Sequence, residues 1–164
     1  MTELLKEMEP VDGLHRIRLS GIDPELVSGE LIEYVGDNNK VLPYMHLSIQ
    51  SASNKILKSM DRAYRRKHIR KFLDAINENI LDVRIGLDMV VGYPGETDKI
   101  FEVSYEFLKD LDFTFIHVFP YGFKTFGKKS EGRAIPHEIV DRRAEKLADL
   151  SNDKKRTFVH KNIN

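Results

Sequence analysis

Three polar side chains of this 164-residue chain have types and spacing suited to holding a ligand: Gln50, Arg62 and Asp88. An amide, a cation and a carboxylate can together grip a small molecule that carries hydroxyls and a charged end. Gln50 closes an alternating segment, Arg62 follows one helical segment later, and Asp88 is set into the apolar run Leu87-Asp88-Met89-Val90-Val91. Directly after it, Gly92-Tyr93-Pro94-Gly95-Glu96-Thr97 brings backbone amides to a helix start, where an anion or the edge of a base could sit. Plainer uses of the same residues are commoner: an ion pair of Asp88 with Arg84 or Arg62, and a tight strand-to-helix loop. His46 and His117 lie on the polar parity of their segments. No second ligand stands at metal spacing from either in the sequence, so both read as core histidines, with no metal bound directly. Arg62, Arg65, Arg66 and Lys67, with Lys124, Lys128 and Lys129, carry enough charge for a phosphate-contacting rim, although charge runs of this kind are generally solvated faces.

The elements that position these residues follow from apolar periodicity. Segments 15–21, 44–50, 82–92 and 114–121 alternate with period two and read as strands. Asp23 and Pro24 suit the start of a helix that Gly36 would close, and Ser53 suits the cap of a short one. A longer helix is expected from about Arg65, another after the cap Thr97, and a last one from Pro136 that frays beyond Asn152. Strand and helix thus alternate four times, which predicts a parallel sheet with crossover helices. In a flat doubly wound sheet both strand faces are apolar. Here one parity is apolar, while the other carries Arg16, Arg18, Ser20, His46, Ser48, Gln50, Arg84 and Asp88. That asymmetry predicts a curved α/β sheet of about four parallel βα units, helices outside and a polar lumen inside, forming part of a barrel.

Composition narrows the function classes. Lys+Arg and Asp+Glu both number 26, so no global field favours nucleic acid or a membrane surface. No apolar run reaches spanning length and the N-terminus is too acidic for a leader, which makes a cytoplasmic location the expectation. With 41% hydrophobic residues, a single domain is expected. Cysteine is absent, so the chain itself can form neither disulfides nor thiolate-held iron–sulfur clusters.

Four blocks carry a resemblance that spans nearly the whole chain. Arg16-Ile-Arg-Leu-Ser-Gly-Ile-Asp-Pro24, His46-Leu-Ser-Ile-Gln-Ser-Ala-Ser53 with Leu57-Lys-Ser-Met-Asp-Arg62, Asp88-Met-Val-Val-Gly-Tyr-Pro-Gly-Glu-Thr97 and His117-Val-Phe-Pro-Tyr121 occur in order. In that order and spacing the chain resembles the radical S-adenosylmethionine methylthiotransferases, and the ending His-Val-Phe-Pro-Tyr is most similar to the branch acting on N6-threonylcarbamoyladenosine in tRNA. The resemblance implies the C-terminal portion of a radical SAM partial TIM barrel. It implies S-adenosylmethionine as cofactor, contacted by Gln50, Arg62, Asp88 and Val90, with Ser20 at a strand end where some relatives carry an acid. His117, Tyr121 and Lys124 fall toward the substrate, and Lys124 stands where the family has an arginine. The implied reaction cleaves S-adenosylmethionine reductively to a radical that abstracts hydrogen from an adenine carbon, before sulfur insertion and methyl transfer. It needs two 4Fe-4S clusters, neither of which this chain can ligate, so the chain alone is expected to be inactive and to be a segment of a larger enzyme. The implied partner is a tRNA anticodon stem-loop, and the open barrel edge offers a place for association with another chain. A ribosomal-protein methylthiotransferase or another radical enzyme, and a non-enzymatic α/β binding module, are the alternatives.

Overall fold

The computed structural model describes residues 1–122 and 134–163. Its elements are α1 (Thr2–Met8), β1 (Ile17–Ile22), α2 (Gly29–Asp37), β2 (Val41–Gln50), α3 (Asn54–Ser59), α4 (Arg66–Asn79), β3 (Arg84–Val91), α5 (Asp98–Lys109), β4 (Phe115–Pro120) and α6 (His137–Ile163). The four strands form one sheet in the order β1-β2-β3-β4, and each neighbouring pair is parallel. Strand order that follows chain order without reversal means that successive crossovers all move the same way. Crossovers of one hand then put their helices on one face of the sheet and leave the other face inward.

The expected parities hold. Ile17, Leu19, Met45, Leu47, Ile49, Ile85, Leu87, Met89, Val91 and Ile116 join a core cluster with Leu31, Val35, Leu57, Ile69, Leu73, Phe101, Leu108 and Leu147 from the helices. Tyr44, Val90, Phe115 and Tyr121 are also buried, but outside that cluster. Two of these, Tyr44 and Phe115, stack with ring centroids 6.4 Å apart on the inner face. Gly86 allows this: a Cβ there would lie 2.3 Å from the Phe115 ring. The inner face is therefore partly filled by rings, as well as polar.

Three local expectations change. Asp23 accepts from the Glu25 amide and starts only a 3-10 turn, Pro24–Leu26, while the helix proper is capped by Ser28. Gly36 lies inside α2 instead of ending it. A side chain there would meet the Asn79 carbonyl at 2.7 Å, so this glycine permits the close crossing of α2 and α4. The last helix continues past Asn152 to Ile163. No glycine or proline interrupts residues 137–163, and the Lys154 ammonium reaches back to the carbonyls of Lys109 and Leu111. In the same helix the Ser151 hydroxyl serves both the amide and the carbonyl of Ile116 on the edge strand β4. Among the described residues no helix is long and apolar enough to cross a membrane.

Candidate functional site

At its carboxyl end, β2 departs from regular strand geometry. The register against β3 shifts between Leu47 and Gln50, and Gln50 takes a φ of 58°, a left-handed conformation that a non-glycine residue adopts only when its surroundings enforce it. Across Gln50 the Ser51 amide donates to the Ile49 carbonyl at 2.6 Å, and the buried Tyr64 hydroxyl shares its proton between the carbonyls of Ser48 and Ile49 at 3.2 and 3.0 Å. Burial pushes this phenol far above its ordinary range, so it remains a donor at any physiological pH. The half-buried Gln50 side chain is thereby set at the strand end by the segment between α3 and α4. The sequence reading missed Tyr64. Its place two residues after Arg62 was the available signal.

Arg62 pairs with Asp23, Nη1 to Oδ2 at 2.7 Å, which connects the end of β1 to the α3–α4 segment. Among the described residues no ion pair joins Asp88 to Arg62 or Arg84, so the expected buried pair is not formed. Asp88 instead meets groups from both neighbouring strands. Ser48 Oγ donates to its Oδ2 at 2.9 Å, His46 Nε2 lies 2.8 Å from its Oδ1, and His117 Nδ1 lies 3.6 Å from the same oxygen. The three donors His46, Asp88 and His117 fall within 4.8 Å of one another. The two histidines are therefore not separate core residues. Register brings them together, with Asp88 opposite His117 and His46 opposite Gly86, two residues earlier on the same face of β3. Linear spacing cannot show this, because the ligand atoms come from three different strands.

Other parts of the expected site do not offer free groups. The loop after β3 is a tight turn: the Glu96 amide returns to the Tyr93 carbonyl at 2.9 Å across Pro94 and Gly95, and Gly95 has the positive φ of 87° that such a turn requires. Glu96 accepts from the Gly92 amide at 2.8 Å, and Thr97 caps the Ile100 amide. The Gly92, Glu96 and Ile100 amides are thus engaged within the chain. Part of the basic rim also makes contacts within the chain, while Lys67 is exposed. Arg65 donates to the carbonyls of Arg62 and Tyr64, and Arg66 lies over the Phe107 ring. Ser20 is exposed on β1, Val90 is buried on the inner face, and Tyr121 is buried with its ring 5.1 Å from that of Tyr93. Lys124, Lys128 and Lys129 lie outside the described residues.

A parallel, singly wound four-stranded α/β sheet with a polar inner face is the architecture of part of a βα barrel. The chain belongs to the radical SAM superfamily, which matches residues 2–108. It is 36% identical over 160 residues to a threonylcarbamoyladenosine tRNA methylthiotransferase, MtaB, of Aquifex aeolicus, covering 97% of this chain and 39% of that protein. It is 32% identical over 151 residues to a tRNA-2-methylthio-N(6)-dimethylallyladenosine synthase of Carboxydothermus hydrogenoformans, covering 92% of this chain and 34% of that one. The chain thus spans between a third and two fifths of these relatives' length. In fold it is similar to coproporphyrinogen III oxidase (HemN) from Escherichia coli, a radical SAM enzyme, with TM-score 0.59 and 15% identity over 99% of this chain and 34% of the other. The superfamily implies S-adenosylmethionine and a 4Fe-4S cluster. The half-buried Gln50 amide at the end of β2, with the Arg62 guanidinium on the α3–α4 segment held by Asp23, offers donors of the kinds that suit the former. The cluster does not fit, because no residue here supplies a thiolate.

Proposed function

We propose that this chain forms part of the S-adenosylmethionine-binding barrel of a tRNA methylthiotransferase that acts on N6-threonylcarbamoyladenosine in the anticodon stem-loop. The observation that carries this reading is the 36% identity to the Aquifex aeolicus relative along 97% of the chain. In this reading Gln50 and Arg62 hold the cofactor's ribose and methionine parts, while Ser20, Asp88 and Val90 line its pocket. His117 and Tyr121 lie toward the nucleoside. When bound, the cofactor supplies the radical and the methyl group, and the two 4Fe-4S clusters are held by cysteines that this chain lacks. The residues described here bind, orient and screen.

The relatives that modify dimethylallyladenosine support a second reading with the same barrel and a different nucleoside. Mass spectrometry of nucleosides from tRNA of host cells with the gene deleted separates the two. Loss of the 2-methylthio group from threonylcarbamoyladenosine supports the first reading, and loss from dimethylallyladenosine the second. If both persist, the tRNA assignment fails. Calorimetry of the chain with S-adenosylmethionine, compared with Gln50→Ala, tests the pocket independently.

A further inference from the structure

We propose that His46, Asp88 and His117 form a binding site for one divalent transition-metal ion on the inner face of the sheet. Each donor comes from a different strand, β2, β3 and β4, so the site is carried by hydrogen-bonded backbone and not by a loop. Two ligand atoms that each stand ~2.1 Å from an ion are ~3.0–3.4 Å apart for angles between about 90° and 110°. The separations here, 2.8 Å from His46 Nε2 and 3.6 Å from His117 Nδ1 to Asp88 Oδ1, bracket that range.

A second observation points the same way. The His46 side chain is only 7% exposed, and its Nε2 has no hydrogen-bond partner despite its closeness to the carboxylate. Nε2 thus lies 2.8 Å from Asp88 Oδ1 without a well-aligned hydrogen bond, a buried polar atom directed at the carboxylate that an ion shared by the two would satisfy.

The surroundings are those of a supported site. Ser48 holds the second carboxylate oxygen of Asp88 and so leaves Oδ1 for the ion. The rings of Phe115 and His117 meet His46 edge-on at 5.4 and 4.7 Å and fix its plane. Two cations nearby, Arg18 and Arg84, are drawn over the rings of Tyr44 and Phe115. His117 is 53% exposed, which leaves an approach for an ion and open positions for water or another ligand. Two imidazoles and one carboxylate suit Zn²⁺, Fe²⁺ or Co²⁺ in preference to Mg²⁺ or Ca²⁺, which favour oxygen.

Co²⁺ titration of the chelator-treated protein, followed by visible absorption with Zn²⁺ competition, tests the site. Expected are d–d bands saturating at one equivalent, displaced by Zn²⁺ and lost in His46→Gln and His117→Gln. His15→Gln and His160→Gln, both at exposed positions, retain them. Ser48→Ala weakens binding by roughly 10- to 100-fold, as for groups that orient a ligand. Because the His46 variant removes a buried ring, the imidazole nitrogen resonances of the wild-type protein provide a second measurement: Zn²⁺ must shift those of His46 Nε2 and His117 Nδ1. Absence of the bands, bands that survive in His46→Gln, or wild-type resonances unmoved by saturating Zn²⁺ would each overturn the proposal.

Discussion

The hydroxyl of Tyr64 donates to the carbonyl of Ile49 at 3.0 Å, one residue before the left-handed Gln50. A phenol from the α3–α4 segment thereby shapes the end of a strand that precedes it by some fifteen residues, and orients an amide that periodicity alone places only on a face. Tyr64→Phe keeps the ring in its buried place and removes the donor. The Ile49 carbonyl keeps the Ser51 amide, so losing the one shared phenolic proton should cost about 0.5–1.5 kcal/mol of stability. Urea unfolding checks this, and calorimetry should show weaker S-adenosylmethionine binding even where the variant is fully folded.

Arg62 separates two roles in a similar way. Its pair with Asp23 is about one-third exposed on both sides, so losing it should change stability by no more than about 1 kcal/mol. If Arg62 also holds the cofactor, Arg62→Ala should reduce affinity about tenfold or more, the equivalent of one charge-assisted hydrogen bond of ~1.5–3 kcal/mol. Asp23→Asn leaves the guanidinium in place and should reduce it less. Equal losses in both variants would show that only the connection between β1 and the α3–α4 segment matters.

Gly86 and Phe115 stand opposite each other in the register of β3 and β4. A Cβ on Gly86 would come within 2.3 Å of a ring that is 4% exposed and stacked against Tyr44. Gly86→Ala should therefore destabilise by about 1–3 kcal/mol through overpacking. Adding Phe115→Leu should recover part of that loss, so a double-mutant cycle in urea should give a coupling term. Strict additivity would place the cost elsewhere.

The sheet was legible in the sequence because its signal is local. Met45, Leu47 and Ile49 alternate with His46, Ser48 and Gln50 within seven residues, and the same period recurs in each strand. The caps Ser53 and Thr97 were legible for the same reason, since each bonds an amide three residues on. The grouping of His46, Asp88 and His117 was not, because it depends on register between strands about forty and thirty residues apart. Nor could the sequence show that the amides at Gly92 and Glu96 are used inside their own loop. Gly36 misled for a related reason: a glycine that lets two helices approach reads in sequence like one that ends a helix. Arg62, which the sequence offers as an ion-pair partner for Asp88, pairs with Asp23 instead.

Glu96 and Arg143 give a prediction in pH. The pair is almost fully buried, with Nη1 to Oε2 at 2.9 Å, and Arg143 also reaches the Glu96 carbonyl and Asp98. It ties α6 to the loop after β3, where Gly92 lets the chain pass against Val140. Breaking the pair with Arg143→Met leaves a buried carboxylate alone and should cost about 3–5 kcal/mol. Burial raises the Glu96 pKa above its ordinary 4.5, an effect that the Gly92 amide and Arg143 only partly offset. A carboxyl whose folded pKa lies above its unfolded one binds its proton more tightly in the native state. Its contribution to stability is complete below 4.5 and is lost as pH rises through the folded value. Glu96→Gln keeps an oxygen for the Gly92 amide but does not titrate. The stability of wild type relative to Glu96→Gln should therefore fall as pH rises above 4.5 and then level off. In Arg143→Met the same fall should be larger, because one of the groups that lowers the Glu96 pKa is gone. Urea midpoints between about pH 4 and 8 measure both. A difference that grows in favour of wild type over that range would mean that Arg143 outweighs burial and holds the carboxylate ionised.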